Sequence, residues 1–451
     1  MKIFNKDLYW IRSGFFAIMQ NLSGVFFSIG SFYILLRLLG PNDYGVWALF
    51  MVTVTILETV RGGLVQNALI KYLASEEKSE HAGIIAASFT ISGFLTLLCI
   101  LINLGFSELL SSLWKAPELV PIFNLYCFTF IISGILTQFN CILQANLKFK
   151  SIFISNFILQ ASFFAYVLGA YVFKFRIELI HLIYVQMFNY TIAAIIAYIH
   201  VKPFLSIRLK NCGEWIRRLF HYGKYAFGTS ISSILSVTVD QMMLGAMLSP
   251  IQAGAFNVAV RITNLLDIPT NAVAVIVFPQ SAKRIQTEGK EGIKYLYEKS
   301  VGTLIALLIP GIIFLYLFSG LVVNLIAGTN YKETIPLLHI TLLYCLFNPY
   351  GRQFGNILDS IGKTRLTFFV VLLVTSINIG LNYIFIRSFG VLGAAYATLI
   401  AHLIGFMIGQ SILKRELNVN IRNTLIYAIN FYPEFYRKYI KRTDLPLKPD
   451  S

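Results

Sequence analysis

Charge is what this sequence lacks most. Acidic and basic residues together fill 13% of its 451 positions, against about a quarter in a soluble globular chain. That shortfall excludes a disordered chain, a nucleic-acid-binding module and an ordinary cytosolic enzyme. Cysteine is scarce too, with five in all. Cys99, Cys127, Cys141 and Cys345 lie inside apolar runs, Cys212 lies in a basic stretch, and no CxxC or Cys/His spacing occurs. Neither a disulfide framework nor a metal site is indicated. There is also no DxD motif, no nucleotide-binding loop and no pair of carboxylates at catalytic spacing. Without a cluster of polar catalytic groups, an enzyme is not expected.

What the chain has is apolar residues, 57% of the total. A helix needs about 20 of them to cross a hydrocarbon core of ~30 Å. Apolar runs fall at about 13–36, 44–60, 82–104, 118–143, 152–173, 178–201, 225–247, 252–278, 300–318, 334–357, 366–386 and 390–413. The expected fold is an all-α polytopic membrane protein of about 12 transmembrane helices. The polar, basic start at 1–12 runs into the first apolar stretch with no small-residue cleavage signal. It is expected to be a retained first helix rather than a removed signal peptide.

The net charge of +16 would suggest a nucleic-acid partner in a soluble protein, but here it follows topology. With both termini cytoplasmic, 29 of the 37 lysines and arginines fall on the cytoplasmic side. Arg37, Lys115, Lys174, Arg176, Lys332 and Arg387 fall outside, and Arg261 and Arg352 lie within spans. That asymmetry is the positive-inside pattern. The longest outer connections, about 105–117 and 319–333, carry only Glu108, Lys115, Lys332 and Glu333 as charges. Two cytoplasmic segments, Glu214–Phe220 and Ile421–Arg442, mix aromatic and apolar residues with arginine and lysine. Both are expected to lie in the headgroup layer as basic anchors, with partner binding as the alternative. The last residues, DLPLKPDS, are expected to be disordered.

The chain repeats itself. Leu39-Gly40-Pro41-Asn42-Asp43-Tyr44-Gly45-Val46-Trp47 matches Leu248-Ser249-Pro250-Ile251-Gln252-Ala253-Gly254-Ala255-Phe256 at an offset of 209. Ile142–Lys150 matches Ile357–Arg365 at 215. Each match falls at the equivalent connection of a six-span half. The expected domains are an N-terminal half (1–201), a cytoplasmic amphipathic linker (202–223), a C-terminal half (224–413) and a basic cytoplasmic tail (414–451). Six is even, so the halves run the same way, related by an axis along the membrane normal.

A charge at the bilayer centre costs about 2.5–3.5 kcal/mol on insertion scales, so the few such residues are candidates for function. Asp240 and Arg261 flank the 248–252 turn at similar depth and could pair across spans seven and eight. Arg261 could grip an anionic group through its planar donors, with Asp240 holding it or exchanging protons; a structural ion pair is the other reading. Asp267, six residues beyond Arg261, falls on a different helical face. Arg352 sits beside Asn348-Pro349-Tyr350-Gly351, where a kink is expected; snorkelling to the cytoplasmic surface is the alternative. Glu58 and Arg61 end span two near the cytoplasmic face and are expected to form a local pair. His181, His339 and His402 are scattered and make no ligand set.

The stretch Arg37-Leu38-Leu39-Gly40-Pro41-Asn42-Asp43-Tyr44-Gly45-Val46-Trp47-Ala48-Leu49 resembles the Wzx-type flippases. These form the polysaccharide-transport branch of the multidrug/oligosaccharidyl-lipid/polysaccharide exporter superfamily. Gly390–Thr398 (GVLGAAYAT) is similar to that family's opening of a late span. The resemblance implies two six-helix bundles in a V around a central cavity. Its implied activity is flipping a polyprenyl-diphosphate-linked oligosaccharide across the bacterial inner membrane, for O-antigen, capsule or exopolysaccharide. It implies no enzyme activity and no cofactor, with a proton or sodium gradient or the membrane potential as the energy source. Membrane lipids and polysaccharide polymerase machinery are the other partners it implies. The competing reading is a drug or cation antiporter of the same superfamily.

Overall fold

Helices occupy every one of the apolar runs. The computed structural model describes residues 2–206 and 212–437, and among them there are helices and turns but no strand. In chain order, α1 (Lys2–Leu38), α2 (Pro41–Gly63), α3 (Gln66–Ser75), α4 (His81–Leu113), α5 (Leu119–Ala145), α6 (Phe149–Phe173) and α7 (Leu179–Val201) come first. They are followed by α8 (Cys212–Met247), α9 (Pro250–Thr263), α10 (Asp267–Thr287), α11 (Gly289–Leu317) and α12 (Ser319–Ala327). The chain continues through α13 (Thr334–Cys345), α14 (Asn348–Ser360), α15 (Thr364–Phe389), α16 (Val391–Leu417) and α17 (Ile421–Phe435).

Eight segments among the described residues are long and apolar enough to cross a membrane by length and composition: α2 with α3, α4, α5, α6, α7, α11, α15 and α16. The chain is therefore an all-α multi-pass membrane protein. The other four expected spans coincide with α1, α8, α9 with α10, and α13 with α14. The last three carry Asp240, Arg261, Asp267 and Arg352, and two of them break near the middle. Polar residues and helix breaks lower their apolarity, so hydropathy alone does not count them.

The described residues group into two compact units. The first takes in Met1–Gly254 and Ile326–Asn330, the second Ala255–Leu325 and Tyr331–Ser451. In the first unit, α2 begins after an extended Gly40 with Pro41 in its first turn, and α9 opens in the same way on Pro250. Proline loses no hydrogen bond there, and its fixed φ suits the helix. The two copies of the repeat touch. A Cβ on Gly45 would stand 2.0 Å from the Pro250 carbonyl oxygen, and one on Gly254 would stand 2.9 Å from the Gly45 Cα. Gly45→Val should therefore force the two helix starts apart, at a cost of about 1–3 kcal/mol for overpacking. A lower melting temperature of the purified protein in detergent is the expected result. An unchanged one would mean that the helices do not meet there.

Three expectations about connections change. Most of the outer loop expected at 105–117 is helix, because α4 runs to Leu113, and α12 fills much of 319–333. The headgroup helix expected at Glu214–Phe220 is instead the first turns of α8, continuous with span seven. Two of its apolar positions, Trp215 and Leu219, face protein, while Phe220 stays exposed. Trp215 and Leu219 are buried in a core with Leu69, Ile85 and Val201, and Trp215 Nε1 donates to Glu80 Oε2 at 2.9 Å. Residues 207–211 of that linker lie outside the described residues.

The tail helix α17 forms as expected, but it is docked on protein. Its Thr424 carbonyl oxygen and Tyr427 Cβ each lie 2.6 Å from where a Cβ on Gly302 of α11 would stand. The buried Glu298 carboxylate accepts from the Asn420 N–H at 2.7 Å and the Asn423 side chain at 2.8 Å. Ile421, Leu425, Ile426 and Ile429 stay exposed on its other face, as an interfacial helix requires. The expected disorder at DLPLKPDS lies outside the described residues.

Candidate functional site

Charged side chains gather in each unit, where helices are interrupted or crossed by polar groups. In the first unit, α2 and α3 form one run, Pro41–Ser75, and Glu58 is its midpoint. Glu58 and Arg61 stand in the last two turns of α2, before the Leu64-Val65 turn that leads into α3. Arg61 is buried, 4% exposed. Its Nη1 donates to the Phe130 carbonyl at 2.7 Å and to Ser133 Oγ at 2.9 Å, both on α5. Gly134 lies alongside: a Cβ there would be in van der Waals contact with Nη1, at 3.4 Å. Glu58 Oε1 lies 3.9 Å from Arg61 Nη2 and accepts from the Tyr126 hydroxyl at 3.4 Å. Tyr190 of α7 hydrogen-bonds Tyr126 in turn. The expected local pair exists, and it is the centre of a network joining α2, α5 and α7. Asp240, on α8, is also buried within this unit.

The second unit builds its cluster on two broken helices. A 3-10 turn, Asn264–Leu266, separates α9 from α10. α13 ends at Cys345 and α14 restarts at Asn348-Pro349, the kink expected from the sequence. Asp267 opens α10 and accepts from the Asn348 side chain at 2.9 Å. One turn further along each helix, Arg352 donates to Asn271. The Arg352 side chain stays exposed. His402 of α16 stacks on Tyr344 with ring centroids 4.9 Å apart, and its Nδ1 meets the Thr398 carbonyl at 2.8 Å. Arg261 is half-buried and donates from Nε to Asn257 Oδ1 at 3.0 Å. Broken helices that carry charge at mid-span are where carriers place substrate and ion sites.

The structure thus joins residues that the sequence kept apart. Asp267 and Arg352 share one cluster, through neighbouring rungs of α10 and α14. Asp240 and Arg261, expected as a pair, belong to different units. Tyr126, Tyr190, Ser133 and Asn271 give no sequence signal: each is one polar residue among several in its helix, 68 or more positions from its charged partner.

The chain is thus an all-helical multi-pass membrane protein with charged side chains at helix breaks. The sequence profile of the polysaccharide biosynthesis protein family matches residues 34–336, and the chain belongs to that family. It is similar to a probable low-salt glycan biosynthesis flippase, Agl15, of Haloferax volcanii. The two are 24% identical over 210 residues, which cover 47% of this chain and 44% of the relative. The chain spans a little under half the length of the first curated relatives it matches. The family read from Arg37–Leu49 is thereby borne out.

Two solved structures share the fold. One is the inward-facing conformation of a multidrug resistance MATE family transporter of the MOP superfamily. It has a TM-score of 0.75 at 14% identity, covering 86% of this chain and 95% of that one. The other is the lipid II flippase MurJ in an inward closed conformation. It has a TM-score of 0.73 at 16% identity, covering 95% and 94%.

Proposed function

We propose that this protein flips a polyprenyl-diphosphate-linked oligosaccharide from the inner to the outer leaflet of the bacterial cytoplasmic membrane, feeding surface polysaccharide assembly. The shared fold does not choose a cargo, because one of its bearers is a multidrug transporter and the other a flippase. The family and the glycan flippase among its relatives favour a lipid-linked glycan.

The observation that carries the reading is the polarity of the second-unit cluster. Asp267 and Arg352 are each held by one asparagine, but the acid is half-buried while the guanidinium is exposed at a helix break. A site for cationic drugs calls for the reverse, an open acid. An open guanidinium suits a diphosphate, whose oxygens it can take two at a time. Arg261 is the second cation offered to the cargo. Asp240, Asp267 and Glu58 are the groups through which a proton or sodium gradient would act. Both termini lie in the cytoplasm on this reading, following the lysine and arginine asymmetry. Polysaccharide polymerase machinery is the partner downstream.

Mass spectrometry of lipid-linked glycans from cells with the gene deleted, and from complemented cells, tests the proposal. The expected result is a complete repeat unit accumulating on its polyprenyl diphosphate while surface polymer is lost. An unchanged lipid pool would sink the flippase and leave the drug antiporter as the better account.

A further inference from the structure

The repeat assigns α8 to the second half of the chain, as the counterpart of α1. Its packing says otherwise. From end to end, α8 is held by residues of the first unit. Near its start, Trp215 donates to Glu80 and sits in the core of that unit. Two turns on, a Cβ at Gly223 would lie 1.9 Å from the Leu64 carbonyl oxygen, so the backbones touch at the α2–α3 junction. Next, a Cβ at Gly63 would lie 3.3 Å from Ser230 Cβ and 3.7 Å from Phe227 Cα. At the far end, Trp114 Nε1 donates to the Met242 carbonyl at 3.2 Å. There too, a Cβ at Gly245 would lie 2.8 Å from the Leu49 methyls. In a membrane no hydrophobic force holds helices together. Close approach through small residues and interhelical hydrogen bonds does so instead. This seam has both along its full length.

We propose that α8 moves with the first unit during transport. The hinge then lies after α8, in the Leu248-Ser249-Pro250 turn and the first turn of α9, where the chain passes from one unit to the other. The 202–223 connection becomes an internal loop of one moving body. Element-terminal residues that absorb a change in φ and ψ are the usual form of such hinges. The proposal rests on the flippase reading above, and its test separates the two.

The Gly63–Ser230 pair allows a direct test. Its spacing of 3.3 Å is a few tenths of an ångström short of the usual disulfide Cβ separation of about 3.5–4.5 Å. With Cys99, Cys127, Cys141, Cys212 and Cys345 replaced by alanine, Gly63→Cys and Ser230→Cys are introduced together. The protein is reconstituted into vesicles with a fluorescent polyprenyl-diphosphate-linked N-acetylglucosamine as the probe. Oxidation should cross-link α2 to α8 with no loss of flipping. Loss of flipping on oxidation, restored by reductant, would overturn the proposal.

Spin labels provide a readout independent of cargo. The pair Thr55→Cys and Val237→Cys, on α2 and α8, should keep one distance. The control pair Val237→Cys and Tyr295→Cys, one label in each unit, should change distance when the probe is added or the pH gradient is reversed. If the α2–α8 distance changes together with the control, α8 does not belong to the first moving body. If the distances behave as expected but the cysteine-free parent flips no probe, the flippase reading fails while the placement of α8 stands.

Discussion

Arg352→Ala should all but abolish glycan export while leaving the protein folded in the membrane. The side chain is exposed, and its partner within the unit is the Asn271 side chain, so its removal opens no cavity and strands no buried charge. What disappears is a cation at a helix break, next to the Asn348-Pro349 restart of α14. A hydrogen bond to a charged group contributes about 1.5–3 kcal/mol, which corresponds to about a ten- to hundredfold loss of transport. Arg352→Lys should fall between, because a lysine keeps the charge but loses the planar fork that takes two phosphate oxygens. Asn271→Ala should cost less than either, since the arginine survives and loses only its orientation. The measurement is surface polymer against membrane-inserted protein in a complemented deletion strain. Full export by Arg352→Ala would remove the residue from the cargo path and return it to a snorkelling role.

That reading was half visible in the sequence. The kink at Asn348–Gly351 follows from proline and glycine chemistry alone, and the structure breaks the helix there. The partners of Arg352 and Asp267 did not follow, because Asn271 and Asn348 sit on other helices 81 positions away. Hydropathy places each helix along the membrane normal but does not say which neighbour it faces. The same limit explains the start of α8. Apolar residues at i and i+4 between arginines describe a helix half in headgroups, and they describe equally a helix buried against protein. Only the packing of Trp215 and Leu219 against the first unit decides between them. By contrast, the Gly40-Pro41 and Ser249-Pro250 turns were legible as repeats because turn chemistry is local. Their meeting at Gly45 and Gly254 is the part that no local rule could supply.

Arg61 should behave differently from Arg352, and the difference separates structure from transport. Arg61→Ala removes a buried guanidinium with its bonds to Phe130 and Ser133 and leaves the half-buried Glu58 with one tyrosine donor. Each lost hydrogen bond to the charged group costs about 1.5–3 kcal/mol, and the vacated space adds a cavity, so both the folded yield in the membrane and the export should collapse. That result alone would not show a role in transport. The double variant Arg61→Met with Glu58→Gln makes the distinction. It removes both charges, keeps an acceptor for Tyr126 and fills the space beside Gly134 with an apolar chain. Replacing a buried ion pair with apolar groups of similar volume is often close to neutral for stability, so the double variant should fold and reach the membrane. If the network of Glu58, Arg61, Tyr126 and Tyr190 couples a gradient to movement, the variant should still fail to export. Export restored along with folding would reduce the network to a strut between α2, α5 and α7. The burial of Arg61 between α2 and α5 argues for the first outcome. A buried charge in a membrane helix is costly, and a purely structural tie could be made by the small-residue packing that this chain uses elsewhere.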